Sequence, residues 1–268
     1  MNKSILFHIL TIIGVCSFVL YSCEDIIGIH LRSVDPKIVI EGGVYLDSLP
    51  TIRITTTKDF DDTNEYPPVK DAIVEIWDNV GNRETLLFDT DLEGYVATNP
   101  RLKGVERQVY SLSVKYKEKE YQALSVMPPL VRLDSLTLSR IPLLDYPCPT
   151  IHFTTSTQRE SGGYRCVTRI NDRLRTNEIF ISSDRIENKS IHLIIPVFRR
   201  DEEKEDPIKR GDEITVELQC LDKELYNFFQ TLESVDNNTA NPVTNIKGGA
   251  LGYFGAFASE RKMIKVEW

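Results

Sequence analysis

Positive charge is not in excess in this chain. Its 268 residues carry 32 Lys+Arg against 40 Asp+Glu, a formal net charge of −8. Neutralising phosphates takes clustered Lys and Arg, so no nucleic-acid partner is expected. Cysteine is scarce, with five residues, which excludes a disulfide-dense mini-scaffold. Gly (14) and Pro (13) are too few for collagen, and 41% apolar with 27% charged residues excludes a wholly disordered chain. Catalytic signatures are missing too: there is no GxSxG, no HExxH, no P-loop and no GxGxxG after a strand. Long apolar runs are absent except for one, at the start.

That run extends from Ile5 to Leu20 behind Lys3. A membrane span needs about 20 apolar residues, so the run fits the h-region of a secretory signal better than a span. It ends in Leu20-Tyr21-Ser22-Cys23, which resembles a bacterial lipobox. In such a motif a small residue, here Ser22, admits the peptidase, and the thiol of the next residue carries a diacylglycerol group. Acyl chains contribute about 0.8 kcal/mol per buried CH₂, and several together hold far better than one. The expectation is a signal peptide over 1–22, cleavage between Ser22 and Cys23, lipidation at Cys23 and a tether over 23–36. Glu24 and Asp25 follow the cysteine and look like the surface-export signal of Bacteroidota lipoproteins; a solvated tether explains them equally.

Beyond the tether, strand patterns dominate. Thr51-Ile52-Arg53-Ile54-Thr55 and Gln108-Val109-Tyr110-Ser111-Leu112-Ser113-Val114 alternate with period two, as half-buried strands do. Turn residues Asp78-Asn79-Val80-Gly81 and Thr90-Asp91-Leu92-Glu93-Gly94 separate further short runs, and Lys117 to Glu120 is a charged hairpin tip. About seven strands in ninety residues is the spacing of a β-sandwich. Met127-Pro128-Pro129 cannot continue a central strand, which places a boundary there. The chain is therefore expected to be mostly β, with two β-sandwich-like domains, 37–129 and 130–268. The second carries one amphipathic helix, 222–235, with Asp222 as N-cap and Leu225, Phe228, Phe229, Leu232 and Val235 on one face. Cys148, between Pro147 and Pro149, reads as loop.

Two resemblances follow from these residues. Pro68 to Ile76, Gly81, Thr90-Asp91-x-x-Gly94-Tyr95, Gly104 and Tyr110 to Val114 resemble a transthyretin-like or carboxypeptidase-regulatory β-sandwich. Cys23-Glu24, Ile38 to Gly42, Asp134-Ser135-Leu136, Tyr226-x-Phe228-Phe229, and Asn241-Pro242 leading to Gly248-Gly249-Ala250-Leu251-Gly252-Tyr253-Phe254-Gly255 resemble the DUF4249 family of Bacteroidota lipoproteins. That resemblance implies an outer-membrane lipoprotein, anchored to the membrane by lipid, often beside a TonB-dependent transporter. It implies no enzymatic activity and no cofactor.

Candidate chemistry is sparse. Cys166 and Cys220 sit in strand-like runs and are either a disulfide or two buried thiols. Cys148-x-x-x-His152 offers two metal ligands, but no second pair is spaced to close a zinc site. Asp59, Asp61 and Asp62, with Glu65, are weak calcium candidates; a solvated acidic loop is the simpler expectation, as it is for Asp201 to Asp206. Tyr253, Phe254 and Phe257 in the Gly-rich tail are a candidate ligand or partner patch if exposed, and otherwise a packed strand crossing between the two domains. Asp47-Ser48-Leu49 and Asp134-Ser135-Leu136 resemble a short O-glycosylation motif. A binding or accessory lipoprotein leads. A structural or adhesive surface module and a hydrolase with an unrecognised carboxylate site are the alternatives.

Overall fold

The computed structural model describes residues 35–58, 66–142, 144, 146–155, 162–174, 179–182, 189–197, 208–233 and 241–267. Ser22, Cys23, the tether up to residue 34, Asp59, Asp61, Asp62, Glu65, Asp201 to Asp206 and Val235 lie outside the described residues.

The first half supplies β1 (Ile38–Tyr45), β2 (Thr51–Thr56), β3 (Ile73–Asp78), β4 (Arg83–Thr85), β5 (Leu87–Asp89), β6 (Gly94–Val96), β7 (Val109–Tyr116) and β8 (Lys119–Val126). The second supplies β9 (Leu133–Arg140), β10 (Pro147–Thr154), β11 (Gly163–Ile170), β12 (Arg173–Leu174), β13 (Ile179–Ser182), β14 (Ser190–Ile194), β15 (Glu213–Leu221), helix α1 (Lys223–Glu233) and β16 (Leu251–Lys265). Among the described residues the chain is mostly β with one α-helix, as expected. Cys148 is the main local difference. It lies within β10, opposite Ser139 of β9, rather than in a loop.

The strands form a nine-stranded sheet in the order β12-β11-β15-β16-β1-β2-β6-β5 with β13 also on β11, a four-stranded sheet β4-β3-β7-β8 and a three-stranded sheet β14-β10-β9. Ile40, Ile52 and Ile54 of the large sheet share one core with Val74, Ile76, Leu112 and Val114 of the four-stranded sheet. The same core continues through Ile151 and Phe153 of β10 to Cys166, Val216 and Leu218.

The fifteen-residue β16 joins the two halves. Its first part pairs in parallel with β1, Val39 opposite Leu251 through Tyr45 opposite Phe257. Its second part pairs antiparallel with β15, Cys220 opposite Ala258 through Glu213 opposite Lys265. The stretches 37–129 and 130–268 thus share one hydrogen-bonded sheet, and Pro36–Trp268 cluster as one compact unit. Met127-Pro128-Pro129 does end β8, at the edge of the four-stranded sheet, while the two stretches are joined in the nine-stranded sheet, where β16 lies between β15 and β1.

Glycine makes the β1–β16 contact feasible. A Cβ built on Gly43 would overlap the carbonyl of Gly255, its partner in the ladder. Only a residue without a side chain lets the two backbones approach this closely.

Helix α1 begins where Asp222 caps it. The Asp222 Oδ1 accepts the Leu225 N–H at 2.8 Å, as the sequence suggests. Leu225, Phe228 and Phe229 are buried, and Tyr226 joins them, whereas Leu232 is 45% exposed. The apolar stripe is therefore shorter than its periodicity implied. Among the described residues no helix is long and apolar enough to cross a membrane.

Candidate functional site

The aromatic tail residues do not form one patch. Successive side chains of a strand point to opposite faces. Phe254 consequently enters the main core, fully buried, while Phe257 packs into a second cluster with Leu221, Leu225, Tyr226, Phe228 and Phe229. Tyr253 lies against that second cluster, its ring 4.9 Å from those of both Phe228 and Phe229. The packed-strand alternative therefore holds for Phe254 and Phe257, which are 0% and 2% exposed.

What reaches the surface is the residue beside them. Tyr45 ends β1 directly opposite Phe257, and its ring stacks on Phe257 at 4.8 Å with 12° between the planes. Tyr45 is 40% exposed. One face of its ring rests on a buried aromatic floor, so the ring is held flat at the edge of the cluster.

A polar ladder runs away from this platform across β11, β15 and β16. The cross-strand register places Glu217 opposite both Val167 and Arg261, and Gln219 opposite both Arg165 and Ser259. Glu217 is buried, and its Oε2 accepts from Arg261 Nη2 at 2.9 Å and from Arg169 Nη1 at 3.4 Å. Its Oε1 accepts from Gln219 Nε2 at 3.2 Å, and the Gln219 amide oxygen accepts from Arg165 Nη1 at 3.2 Å. The Arg165 guanidinium then lies 3.9 Å from the Phe229 ring centre, a cation–π contact that links the ladder back to the aromatic cluster.

Electrostatics bind these groups into one site. Burial pushes the Glu217 carboxyl up, but hydrogen bonds from Gln219, Arg261 and Ser259 and the Arg261 charge together hold it below its ordinary value. Burial raises the Tyr45 phenol; the Glu217 charge adds to this and the Arg165 charge opposes it. Tyr45 therefore feels the charges of Glu217 and Arg165. An exposed ring stacked on a buried aromatic can take the flat apolar side of a ligand on its free face. The alternation Thr215-x-Glu217-x-Gln219 within an apolar strand is the sequence signal of this face.

A family model described as a domain of unknown function, DUF4249, matches residues 24–263. The chain belongs to the DUF4249 family. No curated protein matches it. The span matched by DUF4249 takes in Tyr45, Arg165, Glu217 and Arg261 alike.

The remaining candidates resolve as follows. Cys148, Cys166 and Cys220 are free and buried. Cys166 lies opposite Leu218, and Cys220 opposite Tyr164. The two cysteines are thus diagonal neighbours, typically about 7–8 Å apart where a disulfide needs Cβ atoms at roughly 3.8 Å. Burial pushes both thiols up to about 12. Cys148 and His152 are four residues apart on β10, roughly 13 Å along an extended strand, too far to share an ion. Among the described residues no group of three or more His, Cys, Asp or Glu is placed to hold a metal.

Two carboxyls are displaced in opposite directions: Glu217 downward, and Asp222 upward through burial. They are five residues apart, about 16 Å along the chain, beyond the roughly 5–9.5 Å of a glycosidase pair. A cavity of about 540 Å³ opens elsewhere, lined by Pro36, Ile38, Thr56, Tyr116, Tyr121 and the charged hairpin tip.

Proposed function

We propose that this DUF4249 protein is a non-enzymatic binding or accessory lipoprotein of the outer membrane. Cys23 carries the lipid anchor, and the body works beside a TonB-dependent transporter. The observation that carries the binding role is Tyr45, exposed and stacked flat on buried Phe257, within the electrostatic reach of Glu217 and Arg165 of the polar ladder. Such a face suits a polar ligand with one flat apolar side, or a protein edge of the same character. The lipobox, the acidic Glu24-Asp25 and a family match that begins at residue 24 support the address.

Two measurements test it. Palmitate labelling in a bacterial host is expected to mark the wild type and not Cys23→Ala; an unlabelled wild type ends the envelope assignment. Solubilised outer membranes are expected to yield the protein together with a transporter in stoichiometric amount. Recovery of the lipoprotein alone favours a structural or adhesive surface module.

A further inference from the structure

We propose that His152 and His192 form a two-ligand site for a first-row divalent transition-metal ion of the zinc, nickel or copper type. The two residues are directly opposite each other in the β10–β14 ladder. Their Nδ1 atoms are 2.8 Å apart, and their rings stand at 88° with centres 4.5 Å apart. Both imidazoles lie on the solvent side of the three-stranded sheet, His192 exposed and His152 partly so.

The separation is the bite of a chelate. Metal–imidazole bonds of about 2.0–2.1 Å put two nitrogens about 2.9 Å apart at a right angle and about 3.4 Å apart at the tetrahedral angle. The observed spacing therefore needs an opening of only a few tenths of an ångström. Imidazole is a borderline ligand that suits zinc, copper and nickel over magnesium or calcium. Two protein ligands leave the other positions to water or to a further donor.

The tautomer is prepared as well. The Thr137 Oγ1 lies 3.0 Å from His152 Nε2, and the same hydroxyl donates to the Thr150 carbonyl at 3.4 Å. With its proton turned to that carbonyl, the hydroxyl can accept the Nε2–H of His152 in the tautomer that carries it. That leaves the His152 Nδ1 lone pair directed at its partner ring. A ligating histidine held through its second nitrogen is the usual outer-sphere support of a metal site. Without metal, the same geometry is a single N–H···N hydrogen bond from His192 to His152.

Zinc titration of the untagged full chain in detergent, read by competition with a chromogenic chelator, distinguishes the two. The expected result is one saturable equivalent, lost in His152→Ala and in His192→Ala and retained in His30→Ala. Thr137→Val is expected to weaken binding roughly 10- to 100-fold while both ligands remain. Because His192 is exposed, the alanine variants should keep the urea midpoint of the wild type. Histidine side-chain nitrogen spectra should shift at two residues on zinc addition, at Nδ1. No saturable equivalent, or an equivalent that survives the double variant His152→Ala/His192→Ala, overturns the proposal and leaves a hydrogen-bonded pair.

Discussion

Asp222 joins three elements, and its replacement offers a graded test of the fold. Its Oδ1 caps α1 through the Leu225 N–H, while its Oδ2 accepts the Val126 N–H at 3.1 Å and the Ser125 hydroxyl. The Ser125 Oγ accepts in turn the Ala256 N–H of β16 at 2.8 Å. Asp222→Ala removes the cap, at about 0.5–2 kcal/mol. It also orphans the Val126 N–H and the Ser125 proton, each costing about 1–3 kcal/mol when buried. Releasing a desolvated carboxylate opposes these losses, so a net destabilisation of about 2–4 kcal/mol is expected. Asp222→Asn keeps the oxygen that caps α1 but cannot accept from Val126, and is expected to cost about 1–2 kcal/mol. In urea, with a slope of about 2–3 kcal/mol/M for a chain of this size, the alanine variant should lose roughly 0.7–2 M in midpoint.

The pH dependence has a definite sign. Burial raises the folded Asp222 carboxyl above its ordinary 3.8. The native state then holds a proton that the unfolded chain releases, so this contribution is complete below pH 3.8 and is lost as pH rises through the raised value. Wild type should therefore gain on Asp222→Asn as pH falls from 7 towards 4. A constant gap between them over that range, or an asparagine variant as unstable as the alanine one, would refute this account of the node.

The β1–β16 junction and the thiols give two further checks. Gly43→Ala drives a methyl into the Gly255 carbonyl and should cost at least the roughly 1–3 kcal/mol of overpacking, with faster amide exchange along β1 and the first half of β16; unchanged protection there would show that the two strands do not depend on this contact. Cys166 and Cys220, with thiols pushed up to about 12, should react with a disulfide reagent at neutral pH only after unfolding. Rapid reaction of the native protein at either position would contradict their burial.

Most strands were legible because period two survives in short windows: Thr51–Thr56 and Val109–Tyr116 alternate in sequence, and burial follows that alternation over Thr51–Ile54 and Val109–Leu112. The cap and the first turns of α1 were legible for the same local reason. β10 was missed because prolines at 147 and 149 read as breakers, yet both positions lie in a strand whose ladder runs from Pro147 opposite Arg140 onward. The polar ladder was missed because none of Arg165, Glu217 and Arg261 is unusual in its own segment. They matter only when three strands set Arg261 at 2.9 Å and Arg169 at 3.4 Å from the Glu217 carboxylate and Arg165 at 3.2 Å from Gln219.

By itself, then, the sequence determined a mostly-β chain of the DUF4249 family, with its turns and helix α1, and an N-terminal stretch that resembles a lipobox, since these depend on residues close together along the chain. Tertiary structure alone decided that the last strand returns to pair with the first, that the tail aromatics divide between two cores, and that Tyr45 surfaces on Phe257 and His152 beside His192. Those outcomes depend on register between strands 40 to some 210 residues apart, and no local pattern encodes which strand will lie next to which.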